Sequence, residues 1–347
     1  MILCCALLLI FLLPMLHTLQ RCGRWYRQRQ QQRLHQPSLQ LRVSRVRRQQ
    51  QYLQLTLVAR DGQALPPARA GQHIQLFGTD QAGNSISRAY SLAQDCRHSR
   101  FYRLVIKAEP RGQLSRTLFD QIKTGDVLTT SQPKGHFVLR RSRKPLVLIA
   151  AGVGITPMLA MALQALRQRR AVTLVYQART QADLLFQRWL RRLPRLRFIP
   201  VLSQAGTDWS GERGRLDAAR LLQLCGHQAD YFCCAGAAMT AQLSQDLAKV
   251  GKTLRAELFA AAASQQNLSI RYRQLETNAA GFSSVLDALN QAGACIPSDC
   301  RGGSCGLCKK RLIKGEVIQM LDPAAPLSAG EVLLCCIQAK TALQIGD

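Results

Sequence analysis

Acidic residues are scarce in this 347-residue chain, where 20 Asp and Glu face 47 Lys and Arg for a formal net charge of +27. The shortage is sharpest in the first sixty residues, which hold ten arginines and no Asp or Glu. Residues 266–347 are close to balanced, with eight basic against seven acidic side chains. Aromatic residues make up only 6%. No helix-turn-helix, zinc-finger or stacking-aromatic pattern is present, which sets aside nucleic acid as a partner although charge alone would permit it. No basic segment precedes the first apolar run and no small-residue cleavage site follows it, which excludes a cleaved signal peptide. The thirteen cysteines form no secreted-type framework and so argue for a reducing compartment.

What is present begins with an uninterrupted apolar run, Met1 to Leu16. Extended through Leu19 it reaches about 28 Å as a helix, close to the ~30 Å of a bilayer core. Arg21, Arg24, Arg27, Arg29 and Arg33 follow it, with Trp25 and Tyr26 at the interface. By the positive-inside rule this is an N-terminal transmembrane helix over residues 1–20, single-pass in the cytoplasmic membrane, with the remainder of the chain in the cytoplasm. A monotopic anchor or a misplaced start is the alternative. Residues 21–38 read as a basic, glutamine-rich linker.

Near the other end, Asp299 to Cys308 reads D-C-R-G-G-S-C-G-L-C. Cys300, Cys305 and Cys308 have the C-x4-C-x2-C spacing of a plant-type 2Fe-2S site. Gly302, Gly303 and Gly306 let the backbone bend around the sulfurs. A zinc loop is the competing reading, but zinc sites usually pair C-x2-C with a second closely spaced ligand pair. Cys335 and Cys336 follow in an apolar run. Cys96, Cys225, Cys233 and Cys295 sit in segments that read as buried, where a thiol behaves as a small hydrophobe.

Between the two ends, residues 39–143 are strand-rich, with alternation over Gln51–Ala59, and suggest an antiparallel β-barrel. This stretch contains Arg88-Ala89-Tyr90-Ser91, Gly112-Gln113-Leu114-Ser115 and Pro133-Lys134-Gly135-His136-Phe137. Residues 144–262 alternate strands and helices, including a helix expected over Ala182–Leu193. Strand Pro145–Ala151 runs into Gly152-Val153-Gly154-Ile155-Thr156-Pro157, the strand, glycine turn and helix that cradle phosphate in a doubly wound α/β sheet. Residues 266–347 hold strands at Leu268–Leu275, Arg311–Ile318 and Ala342–Ile345, with a helix over Phe282–Ala292.

R-x-Y-S, G-V-G-I-T-P and the cysteine loop, in that order, resemble the ferredoxin-NADP reductase superfamily with a C-terminal plant-type ferredoxin unit of α+β β-grasp fold. The resemblance covers nearly everything after the linker. It implies FAD on the barrel, with Arg88 on the pyrophosphate, Tyr90 on the isoalloxazine and Ser91 near N5. Ile106 and Lys107 would follow the ribityl chain and Ser115 the phosphates. It implies NAD(P)H on Gly152, Gly154, Thr156 and Pro157, with Cys234 beside the nicotinamide, and Glu257 and Phe259 as supporting groups in the segment that closes this domain near the flavin. Ser91 and Cys234 would then be the residues at the reacting centre. No acidic residue follows the second strand to hold a ribose hydroxyl, and Arg179 there leans toward NADPH. The segment Tyr231 to Met239 departs from the family's Y-x-C-G-P-x-x-M at Ala235 and Gly236. The placement of V-L-L-C implies Cys335 as the fourth cluster ligand, with Cys336 a neighbour able to substitute.

The implied activity is electron transfer from NAD(P)H through FAD and a 2Fe-2S cluster to a one-electron acceptor protein. An oxygenase, a hydroxylase or a fatty-acid desaturase fits, and the anchor favours one in the same lipid bilayer. A redox or iron sensor with little turnover and a membrane adaptor are the rival readings.

Overall fold

The structure is a computed structural model that describes residues 38–79, 85–96, 100–109, 112–258, 264–298, 303, 306–320, 323 and 325–347. The expected anchor over 1–20 and all but the last residue of the linker lie outside these residues, as do Phe259, Cys300 and Cys305. Among the described residues no helix is long and apolar enough to cross a membrane.

Alternating leucines build the first unit. Strand β1 (Leu39–Gln49) turns at Gln50 into β2 (Tyr52–Ala59), where Leu53, Leu55 and Leu57 are fully buried and Gln54 and Thr56 lie on the other face. Strands β3 (His73–Thr79), β4 (Ser85–Ser91), β5 (Tyr102–Lys107) and β6 (Val127–Thr130) complete an antiparallel sheet of order β4-β3-β6-β1-β2-β5. Helix α1 (Gln113–Gln121) lies between β5 and β6 in sequence. The edge strands β4 and β5 touch, so the sheet curls into the expected barrel. At Ser44 the register of β1 slips: Val43 pairs with Leu57, but Arg45 pairs with Thr56. This bulge turns the odd-numbered side chains over, so that Leu41 and Val43 are buried while Arg45 and Arg47 are exposed.

The second unit is a parallel sheet. Its first strand, β7 (Leu146–Ala151), is buried along nearly its whole length, as a strand covered on both faces must be. Helix α2 (Ile155–Arg167), β8 (Val172–Ala178), α3 (Gln187–Leu190), β9 (Leu196–Leu202), β10 (Glu212–Arg213), α4 (Ala218–Cys225), β11 (Asp230–Ala235), α5 (Ala237–Lys249) and β12 (Leu254–Leu258) follow. The strand order is β10-β9-β8-β7-β11-β12. The chain builds outward on one side of β7 and then returns to the other, which opens a crevice at the carboxyl ends of β7 and β11.

The helix expected over Ala182–Leu193 is replaced by a single 3-10 turn, Gln181–Asp183, and the short α3. Two local features break it. The Thr180–Asp183 capping box closes the first turn, and Phe186 adopts a left-handed conformation at φ +60°.

The third unit has its own core, built on Ile270, Leu286, Leu289, Leu334 and Cys336. Strands β13 (Ser269–Tyr272) and β14 (Leu275–Asn278) form a hairpin where one strand over Leu268–Leu275 was expected, because Arg273 at φ +55° turns the chain. Helix α6 (Val285–Gln291), β15 (Lys309–Lys314), β16 (Val317–Gln319), β17 (Glu331–Leu333), β18 (Ile337–Ala339) and β19 (Leu343–Gly346) complete it. The main sheet runs β14-β13-β19-β15-β17, and β16 pairs with β18. Gly315, at φ +100°, splits the strand expected over Arg311–Ile318, and a Cβ there would lie 2.2 Å from the Ala342 carbonyl oxygen. Cys295, expected inside, is exposed.

Helix α6 starts on a reciprocal cap: Ser284 Oγ accepts from the Asp287 N–H at 3.2 Å and donates to the Asp287 carboxylate at 2.9 Å. Ser284→Ala should cost about 1 kcal/mol. Hydrogen exchange of the α6 amides is the measurement, with protection expected to fall roughly fivefold.

Candidate active site

Strand β4 carries three of the expected flavin residues. Arg88 pairs with Leu76, Tyr90 with Ile74 and Ser91 with His73, so strand alternation places Arg88 and Tyr90 on one face and Ser91 on the other. The Arg88 guanidinium is exposed and donates to the Ser87 carbonyl at 2.9 Å. Tyr90 is half-buried, and burial pushes its hydroxyl up to about 12 against the opposing pull of Arg88. It therefore stays a neutral phenol. Ser91 is buried, and its Oγ has no hydrogen-bond partner among the described residues.

Beside β4, strand β5 buries Ile106 and ends at Lys107, which pairs with Glu109 at 2.8 Å. Helix α1 packs against both strands and opens with Ser115, whose Oγ accepts from the Glu109 N–H at 3.4 Å. A Cβ on Gly112 would lie 2.2 Å from that Oγ. The glycine is what lets Ser115 fold back over the start of the helix.

Strand β5 also touches the Gly152–Gly154 turn at the end of β7. Gly152 takes φ +54°, and its carbonyl accepts from the Tyr176 hydroxyl at 2.9 Å. A Cβ on Gly154 would stand 2.0 Å from the Cys234 carbonyl oxygen, so only glycine allows the turn to sit against the end of β11. Thr156 Oγ1 donates to the Val153 carbonyl at 3.0 Å. Pro157 occupies the first turn of α2, where its missing N–H costs nothing. Tyr176 was not singled out by motif. Its signal is a hydroxyl among the buried residues of a parallel strand, beside Leu174 and Val175, which must find a partner when buried.

Across the crevice, Cys234 is fully buried and in register with Ala150 on one side and Glu257 on the other. Burial, and then the charge of Glu257, push its thiol well above the ordinary range. The thiol therefore stays protonated. Glu257 has a buried Oε2 with no hydrogen-bond partner among the described residues, and burial raises its carboxyl to about 8. Gly236 lies at φ −67° with open space around it, so the Ala235-Gly236 departure leaves the strand-to-helix turn unstrained. Arg179 is exposed just past β8, and its positive charge reaches the Tyr52 hydroxyl.

In the third unit Cys308 is 1% exposed at the head of β15. The half-buried Cys335 lies in the 3-10 turn Leu334–Cys336. Its thiol has the Cys308 thiol and the Gly303 N–H as hydrogen-bonding neighbours and lies 3.6 Å from Cys336 Sγ. Cys336 is fully buried in the core with Leu334 and Ile337. The two adjacent cysteines thus have different surroundings, Cys335 meeting the glycine loop and Cys336 the apolar interior.

The Glu257 carboxyl has a direct consequence for stability. Its folded value, about 8, lies above its ordinary 4.5, so the native state holds a proton that the unfolded chain releases first. Stability contributed by the neutral form is complete below the lower value and is lost as pH rises toward the upper one. Glu257→Gln should flatten that decline, which denaturant midpoints measured across the window will read.

Comparisons with known proteins fit this geometry. Family models match three consecutive stretches: the oxidoreductase FAD-binding domain over residues 44–139, the oxidoreductase NAD-binding domain over 148–245 and the 2Fe-2S iron-sulfur cluster binding domain over 271–340. The heme-dependent oxidative N-demethylase beta subunit of Ectopseudomonas mendocina is 34% identical over 262 residues, spanning 73% of this chain and 80% of its own. The carnitine monooxygenase reductase subunit of Escherichia coli is 28% identical over 303 residues, 84% of this chain and 92% of its own. The fold is also that of phthalate dioxygenase reductase, which superposes with a TM-score of 0.63 at 24% identity over 89% of this chain and 97% of that one. The glycine turn, the β4 motif and the cysteine loop thus lie inside matched domains in one continuous order, and the chain belongs to the ferredoxin-NADP reductase superfamily as an NAD(P)H-dependent flavin and 2Fe-2S oxidoreductase.

Proposed function

We propose that the chain is the reductase of an oxygenase system, passing electrons from NAD(P)H through FAD and its 2Fe-2S cluster to a one-electron acceptor protein. The observation that carries this is the Cys308, Cys335 and Gly303 constellation at the end of a chain whose other two units bind flavin and nicotinamide. Bound FAD supplies the conversion of a two-electron hydride donor into single electrons, and the cluster supplies the one-electron outlet.

The chain's own residues bind and orient. Arg88 offers a forked donor to the flavin pyrophosphate, and the Tyr90 ring covers the isoalloxazine. The buried Ser91 Oγ and Glu257 Oε2, which lack partners among the described residues, suit the polar edges of the two rings that meet there. A protonated Cys234 packs against the nicotinamide as a neutral surface and has no role as a nucleophile. Gly152, Gly154, Thr156 and Pro157 shape the phosphate turn, and Arg179 is available to a 2′-phosphate. Ile106, Lys107 and Ser115 line the rest of the flavin site, to which the family resemblance also assigns Phe259. Cys300, Cys305, Cys308 and Cys335 hold the cluster.

The apolar run at 1–20 supports a single membrane pass with the three units in the cytoplasm. It favours an acceptor in the same bilayer, a hydroxylase or fatty-acid desaturase, since confinement raises effective concentration.

Anaerobic titration of the full chain in nonionic detergent tests the electron path. Flavin and iron-sulfur bands should bleach with NADH or NADPH, and bands that stay unbleached would leave a sensor in place of a reductase. For the cluster, Cys335→Ser should remove the iron-sulfur absorbance while Cys336→Ser retains it; the reverse pattern would exchange their roles. If the anchor reading holds, the chain stays in carbonate-washed membranes and is released when residues 1–20 are deleted.

A further inference from the structure

A cleft of about 240 Å³ opens between the outer face of the barrel and the second unit, and none of its lining residues belongs to the flavin, nicotinamide or cluster sites. Its floor comes from neighbouring strands in register. Arg45 of β1, Thr56 of β2 and Arg103 of β5 form one row, and Arg47 and Gln54 form the next. Its wall is apolar, made by Leu159 of α2 with Phe186 and Trp189 from the broken helix.

Three features of this cleft are unusual together. First, three guanidinium groups line the cleft with no carboxylate among the lining residues; none of the three makes an ion pair among the described residues, although Arg103 lies over the Phe101 ring at 5.4 Å from its centroid. Burial, and then the charge of Arg45, hold the Arg103 guanidinium below its ordinary value. Second, Arg45 and Arg47 reach the cleft only because of the bulge at Ser44, which Ser44 Oγ pins by donating to the Thr56 carbonyl at 3.1 Å. Without the extra residue both would point into the barrel core, and bulges of this kind commonly re-aim side chains beside binding sites. Third, Phe186 holds a left-handed backbone, secured where its carbonyl accepts from Trp189 and Leu190. Such a conformation is rare for a bulky residue and concentrates at functional sites. Trp189 remains 41% exposed at the rim.

We propose that this cleft binds an organic phosphate, its charged oxygens on Arg45, Arg47 and Arg103 and its apolar part against Phe186 and Trp189. A carboxylate is satisfied by one forked arginine, whereas three guanidinium groups without a carboxylate partner match the three oxygens and double charge of a phosphate monoester. The volume lies below the ~300 Å³ at which drug-sized pockets begin, so the ligand is small: one phosphate with one ring, or the phosphomonoester headgroup of phosphatidic acid entering from the bilayer.

Calorimetric titration of the FAD-loaded full chain in nonionic micelles distinguishes these sources, using phenyl phosphate, then mixed micelles of phosphatidic acid or phosphatidylcholine. Saturation by phenyl phosphate at one per chain identifies a soluble ligand. Saturation only by phosphatidic acid identifies a lipid headgroup. In either case Arg45→Gln/Arg47→Gln should weaken binding at least about tenfold, Arg45→Lys/Arg47→Lys should fall between because it keeps charge but loses the fork, and NAD(P)H oxidation should be unchanged. No binding of either probe, or equal binding by the parent chain and the glutamine variant, overturns the proposal. Circular dichroism of the variant confirms that it folds, and Trp189→Ala, which leaves all three arginines in place, should weaken phenyl phosphate more than inorganic phosphate.

Discussion

The whole electron-transfer half of the molecule depends on one backbone approach, that of Gly154 to the carbonyl of Cys234, which leaves no room for a Cβ. It pins the end of β7 to the end of β11 where the sheet changes direction, and so decides where a crevice exists at all. From the other side, the Tyr176 hydroxyl holds the Gly152 carbonyl, and β5 of the barrel rests against the same turn. The flavin strand and the nicotinamide turn are therefore positioned by a single loop, and neither can shift without the other. The two units also share one hydrophobic core, running from Leu41 through Leu148 to Cys234. Such a joint core resists the relative motion that small polar interfaces allow.

Within that crevice the protein keeps its own groups neutral. Tyr90, Cys234 and Glu257 are all held by burial in their protonated forms. A site that receives a hydride and releases electrons singly changes its own charge at each step, and fixed ionised groups beside it would favour one state over another. Leaving the nearby side chains neutral gives that control to hydrogen bonds and to the oriented peptide dipoles of the turn. Exposed positive charge is placed on Arg88 and Arg179, where phosphates rather than rings are expected.

Most of the architecture was legible from residue pattern, because each unit obeys its own period. Leu53, Leu55 and Leu57 alternate, Leu146–Ala151 is continuously apolar, and the cysteine spacing is specific to one kind of loop. What escaped the pattern was set by single residues in the left-handed region. Phe186 and Arg273 are not residues that announce a turn, yet each breaks an element that composition would have continued. The bulge at Ser44 was equally silent, since an alternating strand looks the same until its partner's register is known. Among the candidate site residues, motif order singled out Arg88, Tyr90, Gly154 and Cys234, whereas Tyr176 acts through a hydroxyl whose target lies in the turn after another strand.

The same reasoning explains why the scarcity of acidic residues matters locally rather than as a bulk property. Several of the acids are taken up by arginines: Asp95 pairs with Arg167, Asp230 with Arg170 and Glu212 with Arg220. The arginines left over are not spread evenly. Arg45, Arg47 and Arg103 gather at one cleft, through a bulge that serves no evident packing purpose and beside a backbone conformation that a phenylalanine adopts at a cost. Self-repulsion makes such a gathering unfavourable unless something anionic offsets it. A random excess of basic residues would sit on solvated helix faces, as Arg188 does, and would require neither device.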